Sequence, residues 1–230
     1  MKLLAIETST EACSVAVYVD GEVRERHELA PRRHTQLVLP WADELLAGAG
    51  LRKSQLDAIA VGRGPGAFTG VRLAIAIVQG LALALDRPVL PVSTLAVLAM
   101  QGQGDRVLAA IDARMGEVYL GEFVRGTDGL LAAAGPELIV PPSQAVLPAQ
   151  PVHGVGTGFG AESSALVTRL GSALLGFDVN ALPRAADLAR LAAAAWARGE
   201  AIAPDALEPA YLRDKVALTL EEQGKRKPTL

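Results

Sequence analysis

Gly62-Arg63-Gly64-Pro65-Gly66-Ala67-Phe68-Thr69-Gly70 is the stretch on which the reading of this chain turns. Leu56 to Val61 ahead of it is a compact apolar run of strand type, and Val71 to Leu85 behind it is a long helical one. Gly, Pro and Gly at 64–66 let the backbone reverse sharply and come close to another group. Thr69 is placed to cap the following helix, whose N-terminus favours an anion. No Gly-Lys-Ser/Thr follows, so this is not a Walker loop. Two readings stay open: a phosphate cradle, or a tight strand-to-helix connection without a ligand.

Upstream, Leu3 to Ile6 reads as a strand, Glu7-Thr8-Ser9-Thr10-Glu11 as a polar turn, and Cys13 to Val19 as a second strand. Asp20-Gly21 is a hairpin signal leading to a third strand around Glu22 to Leu29. The amides and hydroxyls of Thr8, Ser9 and Thr10 can surround phosphate oxygens as a nest does, or simply satisfy local backbone groups. Arg32 to Gly50 reads as a helix with Leu37, Trp41 and Leu45 at spacings of four, and Pro40 kinks it or marks a late start.

Downstream the pattern begins again. Val107-Leu108-Ala109-Ala110-Ile111-Asp112 mirrors Lys2-Leu3-Leu4-Ala5-Ile6-Glu7, and Val155-Gly156-Thr157-Gly158-Phe159-Gly160 echoes Val61-Gly62-Arg63-Gly64-Pro65-Gly66. Two echoes in the same order indicate an internal duplication. The expected organisation is an α/β chain of two lobes, 1–104 and 105–230, the second reduced. A helix from Ala185 to Arg198 and a segment from Pro204 to Lys215 complete the second lobe.

Composition narrows the function. Half of the 230 residues are hydrophobic, so a packed core is available. Acidic residues outnumber basic ones, 25 to 22, and the only notable basic run is Lys225-Arg226-Lys227, which argues against strong independent binding to nucleic acid. Cys13 is the single cysteine, which excludes an intrachain disulfide and a thiolate metal cluster, and its setting is that of a small core residue. His27, His34 and His153 are not at metal-ligand spacing and read as surface or capping residues. Asp112 and Arg114 face a cleft between the lobes or form a structural ion pair. No apolar run reaches the roughly 20 residues of a membrane span, and the start meets Glu7 too early for a signal peptide; a cytoplasmic protein is expected.

The helix from Val71 is apolar almost all round, interrupted by Arg72 and Gln79. Such a helix is buried on every side, within a lobe or against another chain. Two small lobes have little volume to enclose it, which favours a protein–protein interface.

Four ordered stretches carry a family resemblance over nearly the whole chain: Ile6 to Ala16, Gly62 to Arg72, Ile111 to Tyr119, and Pro209-Ala210-Tyr211-Leu212-Arg213. Together they resemble the TsaB (YeaZ) family. The resemblance implies an actin/Hsp70/sugar-kinase-like (ASKHA) fold and a place in the machinery that installs threonylcarbamoyl on adenosine 37 of tRNA. It implies that the longer paralogue TsaD is the catalytic subunit, with a His-x-x-x-His metal motif in its first lobe. The corresponding Pro91 to Gln101 of this chain holds no histidine or carboxylate.

The expectation is a non-catalytic scaffold with no cofactor or metal of its own. Thr8, Ser9, Gly64, Gly66, Gly156 and Gly158 would then be vestigial phosphate-type loops. The resemblance implies pairing with TsaD through first-lobe helices, with self-association of the lone chain through the same surface. The expected contacts are Leu37, Trp41 and Leu45 on one helix and Val71, Arg72, Ile75, Val78 and Gln79 on the other. The ATPase TsaE is a further implied partner, and tRNA is met only indirectly. The alternative is a small ATPase or kinase of the same superfamily using Glu7 or Asp112 to hold Mg-nucleotide.

Overall fold

The structure, a computed structural model, describes residues 1–213. The Lys225–Lys227 run and the end of the Pro204 to Lys215 segment lie outside the described residues. β1 (Lys2–Glu7), β2 (Ala12–Val19) and β3 (Glu22–Leu29) form a meander, followed by α1 (His34–Gly48), β4 (Ala58–Gly62), α2 (Phe68–Leu85), β5 (Val89–Val92) and α3 (Thr94–Ala99). Then come β6 (Arg106–Arg114), β7 (Glu117–Arg125), β8 (Leu131–Ala133), β9 (Leu138–Val140), β10 (Val152–Val155), α4 (Ala165–Leu170), β11 (Leu174–Asp178) and α5 (Ala185–Ala197).

The first sheet has the order β3-β2-β1-β4-β5, and the second runs β8-β7-β6-β10-β11 with β9 added alongside β7. In each, the first two pairings of the meander are antiparallel and the last two neighbours are parallel. The two echoes in the sequence therefore mark equivalent strands: β1 matches β6, and β4 matches β10. This duplicated α/β arrangement is the two-lobed actin/sugar-kinase-like fold.

Burial explains the strand types. β1 and β4 are continuous apolar runs because helices cover both faces of the sheet, whereas the edge strand β3 alternates charged and half-buried residues. On one face Leu4, Ile6, Val61, Val38 and Val78 join strands to α1 and α2. On the other, Leu3, Ala5, Ala16 and Ala60 meet Leu188, Ala189 and Ala192 of α5. The second sheet packs Leu95 and Leu98 of α3 on one face and Leu166 and Leu170 of α4 on the other.

Three expectations change and one alternative is resolved. The expected second-lobe helix α5 has small residues on its face that let it lie flat on the first sheet, so the chain returns to that lobe after β11. Of the two readings of Pro40, the late helix start is excluded, because it lies inside α1. α2 begins at Phe68, and Ala67 takes the cap position without a side-chain bond, so Thr69 belongs to the first turn. α2 is also long and apolar enough, by length and composition, to cross a membrane; here Val71, Ala74, Ile75, Val78 and Ala82 are buried against the lobe and the opposite side is not.

Candidate functional site

The two glycine loops end at the cleft between the lobes, and the first is filled by its own chain. Gly62, Gly66 and Gly70 run so close to the β1–β2 turn that a Cβ on them would overlap the Glu7 carboxyl, the Ser9 carbonyl and the Thr8 carbonyl, respectively. Ala67 N–H donates to Ser9 O at 2.7 Å, Thr8 Oγ1 donates to Gly70 O at 2.8 Å, and Gly64 N–H donates to Thr94 Oγ1 at 3.1 Å. Gly64 itself adopts φ +95°, which a side chain would resist. Thr8 and Ser9 are fully buried, and the Ser9 amide is taken by Glu7 Oε1 at 2.6 Å. These donors of the expected cradle are thus spent on carbonyls, a hydroxyl and a carboxylate of the same chain, while Ser9, Thr10, Gly66 and Ala67 still line the cleft between the lobes. The second loop repeats this more loosely: Gly156 and Gly158 press on Ala110, and Thr157 Oγ1 accepts from Asp112 N–H at 3.1 Å.

Glu7 corrects the idea of a nucleotide-bound metal held by this carboxylate. It is buried, within 3.3 Å of Thr94 Oγ1, and out of reach of the cleft. Burial raises its pKa above the ordinary 4.5, against the lowering effect of hydrogen bonds from Ser9 and Thr94. The folded chain therefore favours the protonated form. Its contribution to stability is complete below the unfolded value of 4.5 and is lost as pH rises through the higher folded value. Glu7→Gln keeps the shape and removes the ionisation. Thermal melts between about pH 5 and 8 are expected to show a flatter decline for Glu7→Gln than for the parent chain.

The cleft has a volume of about 710 Å³ and draws its walls from both lobes. Asp112 faces it, but its carboxylate accepts from the Arg114 amide and from Arg114 Nη1, both at 2.8 Å, which is the ion-pair alternative. His34 is half-buried at the start of α1, with its Nε2 3.1 Å from Thr10 O and 3.2 Å from Ala12 O, tying α1 to the β1–β2 turn. Burial, with the Glu28 charge as a second cause, pushes the Cys13 thiol up to about 12, as suits a core cysteine. No group of three or more His, Cys, Asp or Glu able to hold a metal occurs among the described residues.

The expected interface side chains are mostly turned inward. Leu45, Val71, Ile75 and Val78 are buried in the first-lobe core, and Leu37 and Trp41 are half-buried against it. Gln79 donates to Pro204 O at 3.1 Å and to Leu207 O at 3.3 Å, anchoring the returning chain. Arg72 is held at the cleft rim, donating to Phe68 O and to the Tyr211 hydroxyl. The four buried side chains have little surface left for a partner, whereas Leu37, Trp41, Arg72 and Gln79 stay half-exposed. The outward face of α2 carries instead Thr69, Leu73, Ala76, Gly80 and Leu83, of which Leu73 is partly covered and the rest exposed. Leu83 is 66% exposed, and Phe68 at the helix start is 59% exposed.

A family model described as TsaD, tRNA N6-adenosine threonylcarbamoyltransferase, matches residues 27–219. The chain is 43% identical over 230 residues to the tRNA threonylcarbamoyladenosine biosynthesis protein TsaB of Escherichia coli (strain K12), covering 94% of this chain and 96% of that protein. It is 42% identical over 229 residues to TsaB of Haemophilus influenzae, covering 94% and 95%. A crystal structure of an uncharacterized protein with similarity to peptidase YEAZ from Pseudomonas aeruginosa matches with a TM-score of 0.85 and 49% identity, over 92% of this chain and 99% of that one. Duplicated sheets, paired glycine loops and likeness along nearly the full length converge, and the chain belongs to the TsaB (YeaZ) family of tRNA threonylcarbamoyladenosine biosynthesis proteins.

Proposed function

We propose that this chain is a non-catalytic scaffold subunit, required by the catalytic paralogue TsaD for threonylcarbamoyl transfer to adenosine 37 of tRNA. The observation that carries the reading is the outward seam of α2. Thr69, Leu73, Ala76, Gly80 and Leu83 recur at steps of four, three, four and three, the spacing by which two helices interlock. Small residues at 69, 76 and 80 let a partner helix approach closely, while Phe68 and Leu83 offer apolar anchors at either end. Leu39 of α1, in the same layer, is 44% exposed and extends the apolar surface. The filled glycine loop supports a supporting rather than a chemical role.

On this reading a second copy of the chain occupies the same seam when TsaD is absent, and the ATPase TsaE joins the assembled pair. The net charge of −3 suits a subunit that meets tRNA through its partner, in the cytoplasm. Reconstituted tRNA modification, with the other components present and this chain added or omitted, tests the proposal. Product is expected only with the chain added, and none from the chain alone. Equal yield without it overturns the reading. The 710 Å³ cleft favours one rival, a nucleotide site of the chain's own. Calorimetric heat on adding Mg-ATP to the isolated chain, lost in Asp112→Ala, would establish that rival.

A further inference from the structure

Pro209-Ala210-Tyr211-Leu212-Arg213 plays no part in the α2 seam, yet it lines the cleft and is bonded to both lobes. At the first lobe, Ala210 N–H donates to Arg63 O at 2.8 Å. Arg72 Nη2 donates to the Tyr211 hydroxyl at 2.6 Å, and its guanidinium lies 3.3 Å from the Phe68 ring centre and 5.1 Å from that of Tyr211. Two residues further on, Arg213 reaches the second lobe. Its Nη2 donates to Glu117 Oε2 at 2.7 Å, to Ala113 O at 3.1 Å and to Arg114 O at 3.3 Å, and its Nη1 lies 3.0 Å from Met115 Sδ.

The β6–β7 turn that Arg213 grips is strained. Arg114, Met115 and Gly116 are all left-handed, with φ of 61°, 57° and 77°, and only the last is a glycine. Such a turn persists where surrounding groups over-determine it. One guanidinium that joins two of its carbonyls and its Glu117 carboxylate does so with charge-assisted bonds.

We propose that Pro209–Arg213 is an interlobe clamp: it sets the angle between the two lobes by fastening the Arg63–Arg72 region of the first to the β6–β7 turn of the second. Its anchors at Ala210 and Arg213 are only three residues apart, so the backbone between them spans at most about 10 Å and the Arg213 side chain is its only slack. α3 already ties the lobes, Val97 packing with Leu3 and Ala5 of the first while Leu95 and Leu98 pack on the second sheet. Any remaining change of angle must release Arg213 from the turn or Ala210 from Arg63. The clamp thereby joins the end of α2 that carries Phe68 to the second lobe, making one body of the surface and the cleft.

The test places spin labels at Ala47→Cys on α1 and Thr168→Cys on α4, both exposed, in the full chain; Cys13 is buried and does not compete. Double electron–electron resonance is expected to give one narrow interlobe distance for the labelled parent, a broad distribution for Arg213→Ala, and an intermediate one for Arg213→Lys, which keeps the charge but loses the fork that joins the carbonyls. Hydrogen exchange separates loosening from unfolding. Amides of Met115 to Glu117 are expected to exchange about tenfold faster in Arg213→Ala, with β1 and β4 unchanged. A distribution for Arg213→Ala that superimposes on the parent overturns the clamp. So does broadening accompanied by lost protection in β1 and β4, because the arginine would then stabilise the fold as a whole rather than the angle.

Discussion

Val78→Asp is expected to unfold the first lobe, whereas Leu83→Glu, five residues on in the same helix, is expected to leave it folded and, on the proposed scaffold role, to abolish pairing with TsaD. The two positions differ in what encloses them. Val78 is 0% exposed within the apolar cluster that joins α2 to β4 and β1. A carboxylate at that point would be desolvated without a partner, at a cost of about 4 kcal/mol or more, a large part of the roughly 5–15 kcal/mol that holds a domain together. Leu83 contributes little to that core, so a charge there remains solvated in the lone chain. In a helix pair the same charge is driven into an apolar seam. Loss of at least about a hundredfold in affinity, or ~2.7 kcal/mol, is expected. Circular dichroism melts of the lone variants and sedimentation velocity with TsaD separate the two effects. A heterodimer that survives Leu83→Glu assigns pairing to another surface, and a stable Val78→Asp chain contradicts the assigned core.

These positions also show where the fold was legible and where it was not. The duplication could be read because each half opens with an apolar run that ends on a carboxylate, Glu7 and Asp112, and each carries a later glycine loop. Strands between two helical layers must be apolar throughout, and that constraint leaves a clear trace. α2 leaves no such trace, because apolar residues cover both its buried and its outward side. Helical periodicity marks a face only where polar residues mark the opposite one. Ile75 and Val78 therefore read the same as Leu83, and only the packing tells them apart. Gln79 and Arg72 misled for a related reason: each is polar, yet each is bound to the chain's own returning segment, 125 or more residues away. The outward spacing 69, 73, 76, 80, 83 has a twin at 71, 75, 78, 82 on the buried side, so it identifies a face only once the packing is known. Likewise the glycines announced a close approach, but not that the approaching group was Thr8 and Ser9 rather than a phosphate.

That last distinction gives a second large effect, with opposite signs at two glycines of one helix. Gly→Ala inside a helix ordinarily stabilises by about 0.5–1 kcal/mol, because alanine has less backbone freedom to lose. Gly80 meets those conditions: it is exposed, and a Cβ there has nothing within 4 Å, so Gly80→Ala is expected to raise the melting temperature of the lone chain. Gly70 is also within α2, yet its Cβ would overlap the Thr8 carbonyl and press on the Ser9 backbone. Neither neighbour is a side-chain tip that can swing aside. Both belong to the buried turn after β1, so the helix start or the sheet must shift, at a cost of about 2–3 kcal/mol or more. Gly70→Ala is therefore expected to destabilise although it improves helix propensity. Thr8→Ala in the same chain should not restore stability, because the obstacle is backbone, and it also removes the Thr8 hydroxyl bond to Gly70 O. If α2 instead starts away from the β1–β2 turn in solution, Gly70→Ala will stabilise as Gly80→Ala does. Denaturant melts of these variants decide whether the glycine loop is closed on its own chain or stands open.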